Sequence, residues 1–505
     1  MEFLQVNTYQ YVTSAVHVEE LDDLCWARLA ERTDMAELSS VAGRSDILVI
    51  GGGLIGCSIA LECARRGRTV TVLEKLDQVG QGSTARSTAI IRQLYHETHS
   101  IKLAIEGLRL WEQWSKHTGH DVELVRFHQP GILWVVKPEA LATMPVRTMK
   151  ELGAEVEVMD EPSMTRRFPS YRFSGPLAGS TVCGLFEKRG GYVEDPSRAV
   201  RNIAEAARRA GVRFHTGETV TSVEHDDAGC GAGTGGAGAG GAGAGGAGAG
   251  GAGAEGAGAE GAGVGGTSAA SARPRRVTAI ITSSGRRFEA DTFVNAGGPH
   301  SAAVNTMAGC PMPLATAPNR QQFVEGRETA LDWNGARDGS YPVCADPVSG
   351  IYFRPSRTQF RVGTVLAEDD RHFVTDADAP LPEPTPEFIT DKLERLRRRQ
   401  PGARVLDVRG TSALYDVTLA DWCPILDKSD LDGWFVAIGT SGKWFKSGPV
   451  IGWIMAELIE WVRTGKDPDK PTDRLTLRLP RTGHELALAD FARWRKPHGT
   501  EGVLA

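Results

Sequence analysis

Asp46-Ile47-Leu48-Val49-Ile50-Gly51-Gly52-Gly53-Leu54-Ile55-Gly56 is the stretch on which the fold turns. Four consecutive apolar residues, Ile47 to Ile50, suit a strand covered on both faces, as in parallel sheets. Gly51, Gly53 and Gly56 then spell G-x-G-x-x-G. In a dinucleotide-binding turn the first glycine makes the bend and the second lets a pyrophosphate approach the backbone. The third lets helix and strand pack closely. Downstream, Ile59, Ala60, Leu61 and Ala64 recur at helical spacing, Gly67 ends the helix, and Thr69 to Leu73 reads as a second strand. Strand, helix and strand in this order form a βαβ unit with a right-handed crossover. Glu74 closes the second strand 23 residues after Gly51 (74 − 51 = 23), close to where an acidic side chain meets a ribose. An acid there disfavours a 2′-phosphate and leaves FAD or NAD.

The bulk composition is that of a globular enzyme-sized chain. With 505 residues, two or more folding units are expected, and 41% hydrophobic residues supply a large interior. A net charge of −6 without a basic block argues against nucleic acid as a partner. The eight cysteines contain no C-x-x-C pair, so no zinc ribbon, redox dithiol or other metal centre is expected. No run of about 20 apolar residues predicts a membrane span. Glu19, Glu20, Asp22 and Asp23 do not suit a secretory or mitochondrial leader, so a cytoplasmic location is expected.

Outward from the glycine turn, residues 1–44 read as an added segment with a short helix around Leu21 to Arg32. Helices are predicted near Ile101 to Lys116 and from Pro196 to Ala210, and a strand at Ile132 to Val136. Residues 229–266 are almost wholly Gly and Ala, with too few large side chains to offset ordering entropy, and predict a disordered insert. Thr219 to Val223 before it and Val277 to Ile281 after it are both strand-like. The insert therefore extends a hairpin tip, where length costs little. Further on, Phe293-Val294-Asn295 runs into Ala296-Gly297-Gly298-Pro299. Gly433 to Gly439 leads into Thr440-Ser441-Gly442-Lys443-Trp444-Phe445-Lys446, a strand–glycine–helix transition able to aim N–H groups at an electron-rich ring.

These stretches resemble the D-amino-acid-oxidase superfamily of flavoproteins, and more closely its sarcosine-oxidase-like branch, from about Asp46 to Lys466. Gly439 to Lys446 resembles the family's G-x-S-G-x-G-F-K segment. Gly191-Tyr192-Val193 with Asp195-Pro196 resembles G-G-x-x-D-P, and Leu414-Tyr415-Asp416-Val417-Thr418 resembles L-Y-D-x-T. The resemblance implies an α/β protein: a discontinuous Rossmann-type FAD-binding domain (45–118, 191–299 and 405–466) and an α+β substrate domain on an antiparallel sheet (121–189 and 307–404). Residues 467–505 form a C-terminal tail.

It also implies FAD as the cofactor. The contacting residues expected are Gly51, Gly53, Leu54, Ile55, Gly56, Glu74, Lys75, Ser83, Thr84, Arg86, Ser87, Thr88, Val220, Ala296, Gly297, Gly442, Lys443, Trp444, Phe445 and Lys446. By the same resemblance Arg92 and Lys446 clamp a substrate carboxylate and Tyr415 lies beside the flavin. Ala413 occupies the place of the cysteine that tethers FAD in monomeric sarcosine oxidases, so the cofactor is expected to be non-covalent. Glu194-Asp195-Pro196 offers no histidine for a second flavin. Arg361 aligns with the lysine that family oxidases hold over the flavin, which leaves oxidase or dehydrogenase open, with O2 or an electron-transfer acceptor as oxidant. The implied reaction takes a hydride from the C–N carbon of a small secondary or N-methyl amino acid, giving an imine that hydrolyses. A D-amino-acid or glycine oxidase, a 2-hydroxy-acid dehydrogenase and a non-catalytic flavin-bound assembly factor stay as alternatives.

Overall fold

The computed structural model describes residues 41–119, 124–174, 181–226, 275–328, 341–356, 360–370 and 372–497. The expected N-terminal helix and the Gly/Ala insert lie outside these residues. Two eight-stranded sheets organise the rest. In the first, Val41–Ile50 lies between Val70–Glu74 and Arg287–Asn295, parallel to both. Arg213–Thr216 extends it in parallel beyond Val70–Glu74. Trp434–Ile438 joins in parallel beside the end of Arg287–Asn295. The apolar run Ile47 to Ile50 is buried, as a strand with both faces covered must be. The first strand begins at Val41, a few residues before the expected boundary at Ser45, because Val41 and Arg44 already pair with Arg287 and Glu289. The flanks of the Gly/Ala segment pair antiparallel, Val220–His225 with Val277–Thr282, as hairpin arms.

The second sheet is antiparallel apart from one parallel pair, Ile132–Val136 with Val343–Asp346. One edge is a long ribbon, in which Thr316–Glu328 pairs with Val405–Thr418 along nearly its whole length. The sequence reading grouped residues 405–418 with the nucleotide-binding stretches; the structure pairs them instead with a strand of the other sheet. A fourteen-residue strand with a largely exposed first half and a buried second half gives no local clue to the partner; the register with Thr316–Glu328 decides it. A small three-stranded sheet, Ile90–Ile91, Gly191–Val193 and Phe127–His128, stands between the two large ones in the chain path.

Helix Leu54–Arg65 packs against Pro196–Arg209 on one side and Gly448–Arg463 on the other, covering the parallel strands with a shared apolar core. The predicted helix near Ile101 spans Thr98–Glu112 and breaks at Gln113 before Trp114–Thr118. Asp195 caps Pro196–Arg209 by accepting from Arg198 N at 3.0 Å. No described helix is long and apolar enough to cross a membrane.

The segment after Arg463 is tied down by buried ion pairs. Arg495 donates to both carboxylate oxygens of Asp421 at 2.8 and 3.0 Å, and both side chains are fully or nearly fully buried. Arg493 meets Asp427 at 3.0 Å. Removing one partner strands a charge in a medium that solvates it poorly. Arg495→Met is therefore expected to lower stability by about 3–5 kcal/mol, read as a shift in urea midpoint; Asp421 tolerating it without loss would contradict the packing described.

Candidate active site

The site is built from the glycine turn outward. Gly51 has φ +105°, and a Cβ on it would lie 2.4 Å from the Ala296 carbonyl oxygen. A Cβ on Gly56 would lie 1.9 Å from the Gly51 carbonyl oxygen, so helix and turn touch backbone to backbone. Gly53 is the N-cap of Leu54–Arg65, so the capping position itself offers no side chain, and no acid lies in the first turn. Free N–H groups and the positive end of the helix dipole are what a pyrophosphate needs. Glu74 Oε2 accepts from Gly52 N at 2.7 Å, placing the carboxylate over the turn at the end of the second strand. Thr84 Oγ1 lies 3.3 Å from Leu54 N. Ala296 N bonds the Ile50 carbonyl at 2.9 Å, and Gly297 follows on that turn. These residues fit a dinucleotide: a helix end uncapped at Gly53, an acid at the end of the second strand and glycines where the turn meets backbone.

From Thr84 the chain runs into a partly open pocket. Of the expected residues, Ser87, Thr88, Arg92, Tyr415, Gly442, Lys443, Phe445 and Lys446 line it together. The others sit apart. Ser83 and Arg86 bond the ribbon backbone at Leu414 and Ser412, at 2.5 and 3.0 Å. Lys75 pairs with Asp378 outside the turn. Val220 packs under the sheet with Leu48, Ile50 and Leu73. Ile55 packs against the helix core, and Trp444 is buried behind the pocket, stacked on Tyr95 at 5.5 Å. Arg361, aligned with a flavin-facing lysine, is absent from the lining. It is buried against Glu325 at 3.3 Å and donates to the Ser87 carbonyl, so it supports a pocket wall from behind.

Lys446 and Arg92 reach the pocket from opposite ends of the sequence. The turn carrying Lys446 is seated on helix Thr98–Glu112: Trp111 Nε1 donates to the Lys446 carbonyl at 2.8 Å, and Gly107 lets that carbonyl lie against the helix. Tyr95 stands between the two cations. Its hydroxyl accepts from Lys446 Nζ at 2.8 Å and donates to the Lys443 carbonyl at 2.9 Å, while the Arg92 guanidinium lies 4.1 Å from its ring centre. Burial, and then the neighbouring Arg92 and Lys443, hold the Lys446 amine well below lysine's usual range. Burial pushes the Tyr95 phenol up to about 12. Tyr415, at the end of the long ribbon, donates to the Arg86 carbonyl at 3.2 Å. The adjoining Asp416 accepts from Gly439 N at 2.6 Å, joining ribbon to late turn, and burial raises its carboxyl to about 7.

Sequence reasoning missed Tyr95, Trp134, Glu187, Gln321, Gln322 and Thr364. All but Glu187 and Tyr95 line the pocket, and each comes from strand pairing rather than from a motif. Glu187 had one visible signal, an acid closing the apolar strand Cys183–Glu187. It is fully buried and accepts from Gln93 N at 2.5 Å and Trp134 Nε1 at 2.7 Å. These bonds fix the arm carrying Arg92 against the pocket wall. Burial raises the Glu187 carboxyl, opposed by the indole and amide donors. Glu187→Leu leaves those donors unsatisfied, so a loss of about 2–4 kcal/mol is expected by denaturant titration. A conservative Glu187→Gln should recover part of it; equal losses for both would exclude the hydrogen bonds as the cause.

With this geometry in place, a family model described as FAD dependent oxidoreductase (DAO) matches residues 46–262 and 254–458. Human dimethylglycine dehydrogenase is 25% identical over 210 residues, 40% of this chain and 22% of that protein. A probable sarcosine oxidase from Arabidopsis thaliana is 28% identical over 188 residues, 36% of this chain and 42% of that protein. The matched stretches thus span less than half the length of either relative. Among solved structures, L-proline dehydrogenase from P. horikoshii superposes with TM-score 0.64 at 20% identity, covering 84% of this chain and 94% of that one. Glycine oxidase from Geobacillus kaustophilus gives 0.59 at 18% identity, covering 83% and 95%. At these identities the two structures speak to the fold.

Proposed function

The chain belongs to the DAO family of FAD-dependent oxidoreductases, and on that premise we propose that it oxidises a small amino acid at the carbon next to nitrogen. The substrate is a secondary or N-methylated amine of the sarcosine kind, and the FAD is held non-covalently. The observation that carries this reading is the meeting of Arg92 and Lys446 around Tyr95 in one pocket with Tyr415, where no Asp or Glu is among the described lining residues. Three basic groups, Arg92, Lys443 and Lys446, without an acid among the described lining residues favour an anionic ligand, and a carboxylate suits the planar guanidinium.

The turn at Gly51, Gly53 and Gly56 with its helix end would hold the pyrophosphate, and Glu74 the ribose. Ala413 provides no thiol for a tether on the ribbon. When bound, the flavin supplies the hydride acceptor. Arg92 and Lys446 orient the carboxylate, and with it the Cα and N-alkyl carbons, in a buried site. Such positioning is worth several kcal/mol of barrier. Ile132, Trp134, Val343 and Phe323 give the apolar walls that exclude water. The product imine is hydrolysed by water. The same names among the similar proteins, dimethylglycine dehydrogenase and sarcosine oxidase, support a substrate of this class.

Anaerobic titration of the FAD-loaded protein tests the reading. N-methylglycine or proline should bleach the flavin, and Lys446→Ala should slow that reduction roughly 100-fold with FAD retained. Bleaching by 2-hydroxy acids alone, or by no amine at all, would overturn it. Bleaching by glycine or D-alanine in preference would move the assignment to primary amines.

A further inference from the structure

Lys446 is placed to do more than attract a carboxylate. Its Nζ makes two hydrogen bonds within the protein, to Tyr95 OH at 2.8 Å and to the Lys443 carbonyl. A neutral primary amine has two N–H donors and one lone pair, and both donors are thereby used. The remaining tetrahedral position is left for the lone pair, on a residue that lines the pocket. Around it stand Arg92 and Tyr95 on one arm and Lys443 on its own turn, with Glu187 behind the arm. No carboxylate lies within ion-pair distance of Nζ among the described residues, whereas another buried lysine, Lys392, has Asp369 at 2.8 Å and Asp391 at 3.1 Å. An amine so placed carries no internal counter-ion for a proton.

Resting on the amino-acid reading above, we infer that Lys446 is the catalytic base that takes the proton from the substrate's ammonium on binding. The free site holds Lys446 as –NH2. An amino acid arrives as a zwitterion, one proton on nitrogen and a negative carboxylate. The substrate N–H bond breaks, its electron pair stays on the substrate nitrogen, and the proton forms the third N–H bond of Lys446. Charge is conserved: the zwitterion becomes an amine carboxylate and the lysine becomes an ammonium. One transfer meets two needs. The nitrogen gains the lone pair that lets the adjacent carbon release hydride, and the new cation pairs with the carboxylate alongside Arg92. The low proton affinity imposed on Lys446 by burial and its basic neighbours suits a group that is neutral before the ligand arrives and charged after.

Proton counting by calorimetry, in buffers of different ionisation enthalpy, tests this on the FAD-loaded protein at about pH 8. Acetate brings a carboxylate without an ammonium, so its binding should take up close to one proton from the buffer. Its Kd should rise about tenfold per pH unit above the Lys446 pKa. N-methylglycine, bound after the FAD has been chemically reduced so that no hydride transfer follows, brings its own proton and should exchange almost none. Lys446→Met should abolish the acetate uptake. Its flavin reduction by N-methylglycine should keep rising with pH towards the amine's own pKa, where the parent is already flat. Acetate binding to the parent without proton uptake would overturn the inference while leaving the amino-acid reading intact. Failure of both ligands to bind would overturn that reading and the inference with it. The proton count on the parent protein decides the matter even if the Met variant does not fold.

Discussion

A primary amine enclosed beside two other basic groups, with no carboxylate in ion-pair reach among the described residues, is the constraint around which the pocket is arranged. Such a group is costly to charge in a poorly solvating interior. The surrounding structure bears that cost because the backbone beneath Lys446 is held independently of its side chain. The Trp111 indole and the open face at Gly107 seat the turn, and the helix that follows packs along the first helix of the nucleotide cradle. The side chain is therefore fixed by contacts that do not depend on its charge. Tyr95 then couples it to Arg92, so two groups from opposite ends of the chain share one aromatic spacer.

The cradle and the pocket are one construction. The stretch from Gly80 to Ile91 leaves the glycine turn, touches the helix N-terminus through Thr84, bonds the ribbon through Ser83 and Arg86, and supplies Ser87 and Thr88 to the pocket. A dinucleotide lying across the turn would run along the same path. Asp416 performs a comparable task at the other side, joining ribbon to late turn through Gly439. Both links use side chain to backbone bonds, which hold position without specifying a ligand.

The parts of this arrangement that depend on local chain geometry were legible in the sequence. The glycine turn, Glu74 and the late turn each need particular residue types at fixed spacing, and the structure places all three around the parallel strands. What was not legible depends on pairing between distant strands. Val405–Thr418 carries no mark that it belongs with Thr316–Glu328, and Gln321, Gln322 and Thr364 enter the pocket through that pairing and its neighbour. Arg361 shows the limit of alignment across such strands. Its basic character matched the expected position, yet the pleat turns it towards Glu325 and Ser87, behind the wall. Glu187 escaped notice because a lone acid at a strand end usually faces water, and only the third dimension reveals three interior donors waiting for it.

The long ribbon bears on how this architecture can diversify. Tyr415 and the glutamine pair Gln321 and Gln322 come to the pocket from the two strands of the ribbon, not from the glycine turn. Ligand preference can be rewritten on that ribbon residue by residue while the nucleotide cradle stays untouched. A single-residue slip in its pairing, by contrast, would exchange every wall side chain at once. Point substitution is thus the open route to new substrates, and insertion within the paired stretch is the closed one.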